Sequence, residues 1–147
     1  MSNTSQGTKY AICASLPATD DYAGYNALAF TTVKGVESIP AFGAMSKVNS
    51  FQPLDGPEEK HKGPVNYGSL QIPAAYEKAD PGQAILVTAA DPTNNNMYAH
   101  RVTYPNGDIR FFSGRVFGMP ETPGSATNVR MLNATVEIST KVVPYNP

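Results

Sequence analysis

With 147 residues, a net charge of −1 and both signs of charge scattered along it, the chain carries no basic stripe able to neutralise a phosphate backbone. That argues against a tight nucleic-acid-binding surface. Its length suits one domain with a real core, and thirteen prolines, twelve glycines and no long 3.6-residue apolar period point to short strands joined by many loops.

In chain order, residues 1–7 are polar and expected to be a mobile arm, and residues 9–15 are a short apolar run suited to a first strand. Cys13 lies in that run; a single cysteine cannot form an intramolecular disulfide, and its apolar neighbours make it a core residue rather than a reactive thiol. Residues 16–26, with Pro17 and the adjacent Asp20 and Asp21, read as a loop. Residues 27–36 are the second strand candidate and 44–51 the third. The latter puts Met45, Lys47, Asn49 and Phe51 on one face and Ser46, Val48 and Ser50 on the other, so neither face is strongly apolar.

Residues 52–66 hold Pro53, Pro57 and Pro64, with Leu54, Asp55, Glu58, Glu59, Lys60, His61 and Lys62 among them. With almost no apolar side chains and more than the usual loop length, this stretch reads either as a solvated loop or as one that folds only against a partner. Residues 67–76 resume strand character around Leu70 and Ile72, and Pro73 implies an edge strand or a bulge. Asp80-Pro81 is an N-cap followed by proline at the first helical position; residues 81–90 form a short helix that ends before Asp91-Pro92.

Residues 97–104 and 109–117 are rich in aromatic and β-branched residues and flank the turn Pro105-Asn106-Gly107, which is how a hairpin is written. Asn-Gly alone fits a two-residue loop. Pro105, with its fixed φ and no N–H, instead suits the first central position of a type I turn, with Gly107 left-handed in a three-residue loop. The choice sets the register: the shorter loop pairs Tyr104 with Ile109 and Val102 with Phe111, whereas the longer, favoured one pairs Tyr104 with Asp108 and Val102 with Arg110. Core packing explains Tyr104, Phe111, Phe112 and Phe117 better than a stacking platform does. After a Gly/Pro-rich connection over 119–127, residues 129–143 alternate. Leu132, Ala134, Val136 and Ile138 lie on one face, and Asn133, Thr135, Glu137 and Ser139 on the other, as in an antiparallel sheet with one dry and one wet side. The expected class is mainly β: a β-sandwich or open barrel of antiparallel strands with one short helix.

The residues offer little chemistry. His61 and His100 are far apart, and with one cysteine there is no recognisable zinc-ligand spacing. The glycines form no phosphate-cradling motif, no Gly-x-Ser-x-Gly elbow occurs, and consecutive Glu58 and Glu59 read as solvated. No catalytic, cofactor-binding or metal-binding residue is expected, although a set assembled from distant residues is recognised only by geometry. No charged-then-apolar leader opens the chain and no apolar run approaches the roughly 20 residues that span a bilayer, so a soluble protein made in the cytoplasm is expected.

Residues 98–107 (Tyr-Ala-His-Arg-Val-Thr-Tyr-Pro-Asn-Gly), 109–116 (Ile-Arg-Phe-Phe-Ser-Gly-Arg-Val) and the alternating run 128–143 follow a short helix and a β-rich N-terminal half. In that order they resemble the major tail tube proteins of long-tailed, non-contractile bacteriophages. The resemblance covers most of the chain, and its sharp motif is the hairpin. It implies a single tail tube domain over residues 1–147. Subunits would join into hexameric rings that stack into a hollow tube, a virion structure made in the host bacterial cytoplasm, through which DNA passes without specific binding. Implied partners are further copies of the chain and other tail proteins, namely tape measure, tail terminator and tail tip, with no membrane role, no cofactor and no enzymatic activity. Residues 52–66 fall where that family carries its inter-ring loop, which makes Pro53, Leu54, Asp55, Glu58, Glu59, Lys60, His61 and Lys62 the expected contact residues, with 1–7 and 144–147 as lesser ones. A conduit must not hold what passes through it, so its wall should be uncharged or acidic. Asn133, Thr135, Glu137 and Ser139 are the leading lumen candidates, with Glu37 and Asp55 next, against the competing reading of an ordinary solvent-facing sheet. The rival classes are a monomeric β-sandwich module binding carbohydrate or protein, and a small β-barrel enzyme with convergent titratable residues in a pocket.

Overall fold

The strand-forming runs assemble into one curled antiparallel sheet and a separate two-stranded arm, seen in a computed structural model that describes residues 6–127 and 129–147. The elements are β1 (Lys9–Cys13), α1 (Tyr22–Asn26), β2 (Thr31–Val33), β3 (Met45–Phe51), β4 (Glu59–Asn66), β5 (Ser69–Ala75), α2 (Pro81–Ala89), β6 (Tyr98–Thr103), β7 (Ile109–Gly118), β8 (Glu121–Thr122), β9 (Met131–Ile138) and β10 (Val143–Tyr145). The main sheet runs β2-β1-β6-β7-β9-β5, with β10 on β7 and β8 on β9, while β3 and β4 pair only with each other. Residues 1–5, most of the expected N-terminal arm, and Asn128 lie outside the described residues.

Alternation along the strands sorts side chains between two clusters. Tyr10, Ile12, Leu70, Ile72, Val102, Phe112, Val116, Ala134 and Val136 meet Leu86 and Ala89 of α2 on one face. On the other, Cys13, Ala99, Phe111 and Val143 meet Tyr25 of α1. The central strands are therefore covered on both sides where α1 lies, and the sheet is a half-barrel wrapped around α2. Across its gap the chain leaving β2 meets the far edge: Ala75 N–H donates to Gly35 O at 2.8 Å and Glu37 N–H to Pro73 O at 2.9 Å. Gly35 sits at φ +80°, and a Cβ there would lie 2.6 Å from Ala75 O, so only glycine allows this approach.

The first turn of α2 ties that closure. Asp80 caps the helix by accepting from Gln83 N–H at 3.0 Å, and the same carboxylate oxygen accepts from Lys34 N–H at 3.0 Å. Gln83 donates to Lys34 O at 2.8 Å and Ala75 O at 2.7 Å and accepts from Glu77 N–H at 2.9 Å. One buried amide thus joins the exits of β2 and β5 to the helix.

The hairpin takes the longer loop. Tyr104 N–H donates to Asp108 O, Gly107 N–H donates to Tyr104 O, Gly107 has φ +96°, and Val102 faces Arg110. The helix over 81–90 forms with its Asp80 cap, and β5 lies at the sheet edge as Pro73 requires.

Five expectations are corrected, the first being Phe117, which is exposed near the end of β7 and not packed in the core. The loop over 16–26 ends in a second helix, α1, capped by Asp21, which accepts from Gly24 N–H at 2.8 Å; five residues are too few to leave an apolar period. Of the strand expected over 27–36, only Thr31–Val33 forms a strand, and Val36 adds an isolated bridge to Ala74. Half of the loop expected over 52–66 is β4, whose exposed residues carry no burial pattern to read. The alternating run over 129–143 is two strands, since β9 and β10 pair with opposite ends of β7. Between them Ser139 N–H bonds to Ser113 O, and the Thr140 hydroxyl accepts from Ser113 N–H at 3.0 Å, replacing ladder bonds where the strand turns away. Lys141, Val142 and Val143 keep strand character through the break, so composition does not mark it.

Beneath the hairpin, His100 is fully buried and stacks between Tyr10 and Phe112. Its Nε2–H donates to Gly114 O at 3.3 Å and its Nδ1 accepts from the Tyr10 hydroxyl at 2.5 Å, an arrangement that satisfies a neutral ring. Burial lowers its pKa from 6.5 to about 4. The unfolded chain therefore binds a proton that the folded one refuses between those values. The His100 contribution is fully present above pH 6.5 and is lost as pH falls towards 4, amounting to about 3 kcal/mol. Urea unfolding at stepped pH should show this slope, and His100→Gln should flatten it. At neutral pH, Gln83→Ala should lower unfolding free energy by roughly 2–4 kcal/mol, because the carbonyls of Lys34 and Ala75 lose their donor.

Candidate assembly surfaces

Three surfaces remain once the core is accounted for: the β3–β4 arm, the uncovered half of the sheet, and a cavity beside β6 and β7. In the arm, Phe51 pairs with Glu59 and Met45 with Asn66, with a bulge between Ser46 and Val48. At the tip, the Gln52 amide donates to Gly56 O at 2.8 Å and closes the turn. Among the described residues, none of the arm is buried, yet it carries half of the large apolar side chains left exposed. Met45 is 78% exposed, Val48 66% and Phe51 57%, with Leu54 fully exposed and Val65 also open.

The expected contact residues all fall in the arm: Pro53, Leu54, Asp55 and Glu58 around the tip, and Glu59, Lys60, His61 and Lys62 along β4. His61 and Glu59 lie 3.6 Å apart in open solvent, where such a pair adds little. The apolar residues Met45, Val48 and Phe51 belong to the same surface and were not singled out. Their signal was an apolar set in a strand pattern whose alternate face offered no core to join.

Where α1 does not reach, the second face of the sheet is open. Glu137 faces Ser69 and Arg115, Thr135 faces Gln71, and Asn133 faces Pro73, in a row of polar side chains across β5, β9 and β7. Arg115 donates from Nε to Asn95 O at 3.0 Å. Asn133, Thr135 and Glu137 thus come together as expected, and exposed Ser139 follows just beyond the strand end. Glu37 follows on across the closure, opposite Pro73, whereas Asp55 is apart from this face, at the tip of the arm. Arg115 is the member of this face that periodicity on one strand did not show, because cross-strand neighbours depend on register.

A cavity of about 710 Å³ opens between residues 36–42 and the turn end of β6 and β7. Its walls include Val36, Ile39, Phe42, Val102, Tyr104 and Val142, with Glu37 and Arg110 at the polar side. Phe42 is held by packing on Phe112 at 5.6 Å between ring centres. The Arg110 guanidinium lies over Tyr104 at 5.8 Å and donates to Asn146 Oδ1 at 2.8 Å, which ties it to the C-terminal tail. Among the described residues the buried Thr8 hydroxyl beside this cavity has no hydrogen-bond partner. No group of three or more His, Cys, Asp or Glu is arranged to hold a metal ion among the described residues, and no helix is long and apolar enough to cross a membrane.

No protein-family model matches the chain, and no curated protein matches it in sequence. The fold is nevertheless shared with solved structures along nearly the whole chain. A chain from the virion of a native gene transfer agent particle superposes with a TM-score of 0.68 at 10% identity, covering 99% of this chain and 100% of that one. The SPP1 tail tube gives 0.65 at 12% identity, covering 99% and 80%. A chain from the sheath/tube terminator of the PVC extracellular contractile injection system gives 0.64 at 8% identity, covering 99% of each. The chain therefore has the tail tube fold, and because chains of contractile systems share it, the fold does not single out the non-contractile type expected from the hairpin.

Proposed function

We propose that the protein is a structural tube subunit of a phage-type tail. Copies join into hexameric rings, the rings stack, and DNA leaves through the channel without being held. The observation that carries this reading is the tail tube fold over 99% of the chain, shared with the SPP1 tail tube and the gene transfer agent chain. An arm with exposed apolar residues and no cover from its own subunit supports it, since such a surface suits contact with a further copy. The chain works as a conduit and not as a catalyst. Its partners are other copies of itself and the tape measure, terminator and tip proteins of the tail. It is made in the host cytoplasm and resides in the virion.

In this reading the open row of Ser69, Gln71, Asn133, Thr135 and Glu137 lines the channel. Short polar side chains there present few cations to phosphate, and Glu137 opposes the charge of Arg115, so passing DNA has few counterions to release on contact. The arm, with Pro53 to Lys62 at its outer end, makes the contact between rings.

Negative-stain electron microscopy at rising protein concentration should show tubes; a particle that stays monomeric would favour the binding-module reading instead. Replacing residues 52–66 by a short Gly-Ser link should leave a folded subunit that no longer forms tubes. Glu137→Lys alters each six-fold ring by roughly twelve positive units and should slow DNA release while tubes still assemble. Unchanged ejection kinetics would remove Glu137 from the channel wall and leave tube formation standing.

A further inference from the structure

We propose that the cavity walled by Ile39, Phe42 and Tyr104 receives the arm tip of a second copy, with Phe51 and Leu54 entering it. The proposal rests on the tube reading above and adds the receiving surface. Two apolar features of this molecule lack a counterpart among the described residues. One is the arm, with Leu54 fully exposed on its turn; the other is the cavity, whose 710 Å³ exceed what two such side chains fill.

The arm cannot fill the cavity of its own subunit. Phe42 is a cavity wall, and β3 starts three residues later at Met45, so the arm leaves from the cavity rim. Seven residues of strand then carry Phe51 roughly 20 Å away at about 3.3 Å per residue. Pairing with β4 keeps the arm extended and prevents the tip from folding back. An arm that enters this cavity therefore comes from another copy.

Charge sets the orientation. Asp55 follows Leu54, and Glu59 lies opposite Phe51, so the tip is acidic beside its apolar residues. Arg110 stands at the polar side of the cavity with one end of its guanidinium held by Ile109 O and Asn146. Lys60, next along β4, suits Glu37 on the cavity margin. The Thr8 hydroxyl, without a partner among the described residues, adds a polar group at the cavity. In the proposed stack the arm of one copy meets the cavity of the next, a head-to-tail contact. It repeats along one direction, with a step set by the length of the arm.

Two variants with one added cysteine each, Ser38→Cys at the cavity and Leu54→Cys at the tip, mixed and treated with a short bis-maleimide, test the contact. Cys13 is buried, and wild-type protein treated alike serves as the control. Polymerised mixtures should give cross-linked dimers that monomer-concentration mixtures lack. Leu54→Asp should raise the concentration needed for assembly roughly tenfold or more while leaving the thermal midpoint unchanged, because a carboxylate would enter an apolar wall. Tubes that form without this cross-link, or normal assembly by Leu54→Asp, would overturn the arm-to-cavity contact while sparing the tube. A wild-type protein that never polymerises would overturn both.

Discussion

The half-barrel depends on a single side-chain amide. Gln83 spans the gap between the segment leaving β2 and the end of β5, and Asp80 secures the same segment through Lys34 N–H. Without that tie the two sheet edges would meet only through the short pairing of Gly35 to Glu37 with β5. The consequences run outward. The tie orients α2 inside the sheet, and it fixes where the chain goes after Val33. That exit leads through residues 36–42, which wall the cavity, and into the arm. Asp80 retains one buried oxygen with no partner among the described residues, so the cap gives up part of its hydrogen-bonding capacity to hold the β2 exit.

Much of this fold could be read from local chemistry. Asp80-Pro81 encodes a helix start in two residues, and Pro105 decides between two turns because it removes an N–H and fixes φ. What could not be read lies where burial is absent or where contacts are distant. Glu59 to Asn66 form a strand that pairs with β3 across a bulge and has no buried face, so alternation had nothing to report. Tyr22 to Asn26 make one helical turn, set by Asp21 and by the stacking of Tyr25 on Phe111 at 5.2 Å, a contact far away in sequence. The break after Ile138 follows from which end of β7 each partner strand takes.

The candidate surfaces were legible to a different degree. Periodicity on one strand grouped Asn133, Thr135 and Glu137, but their neighbours Gln71, Ser69 and Arg115 follow only from pairing register. The arm was visible as a stretch that could not build a core. Its apolar content was hidden because Met45, Val48 and Phe51 occur in a strand that looked ordinary. The cavity had no sequence signature at all, since it arises where a strap after β2 crosses the ends of two strands from the other half of the chain.

The arm has two strands and no core, and a lone hairpin of that kind is marginal in water. A free subunit therefore holds its paired arm with less stability than its sheet, and in the proposed contact each docking event bears the entropy of fixing the arm relative to the sheet. First encounters between subunits are weak for that reason, whereas an arm already seated beside its neighbours is ordered and favours the next arrival. In the proposed tube, growth is accordingly nucleated, with a lag before elongation that shortens as subunit concentration rises.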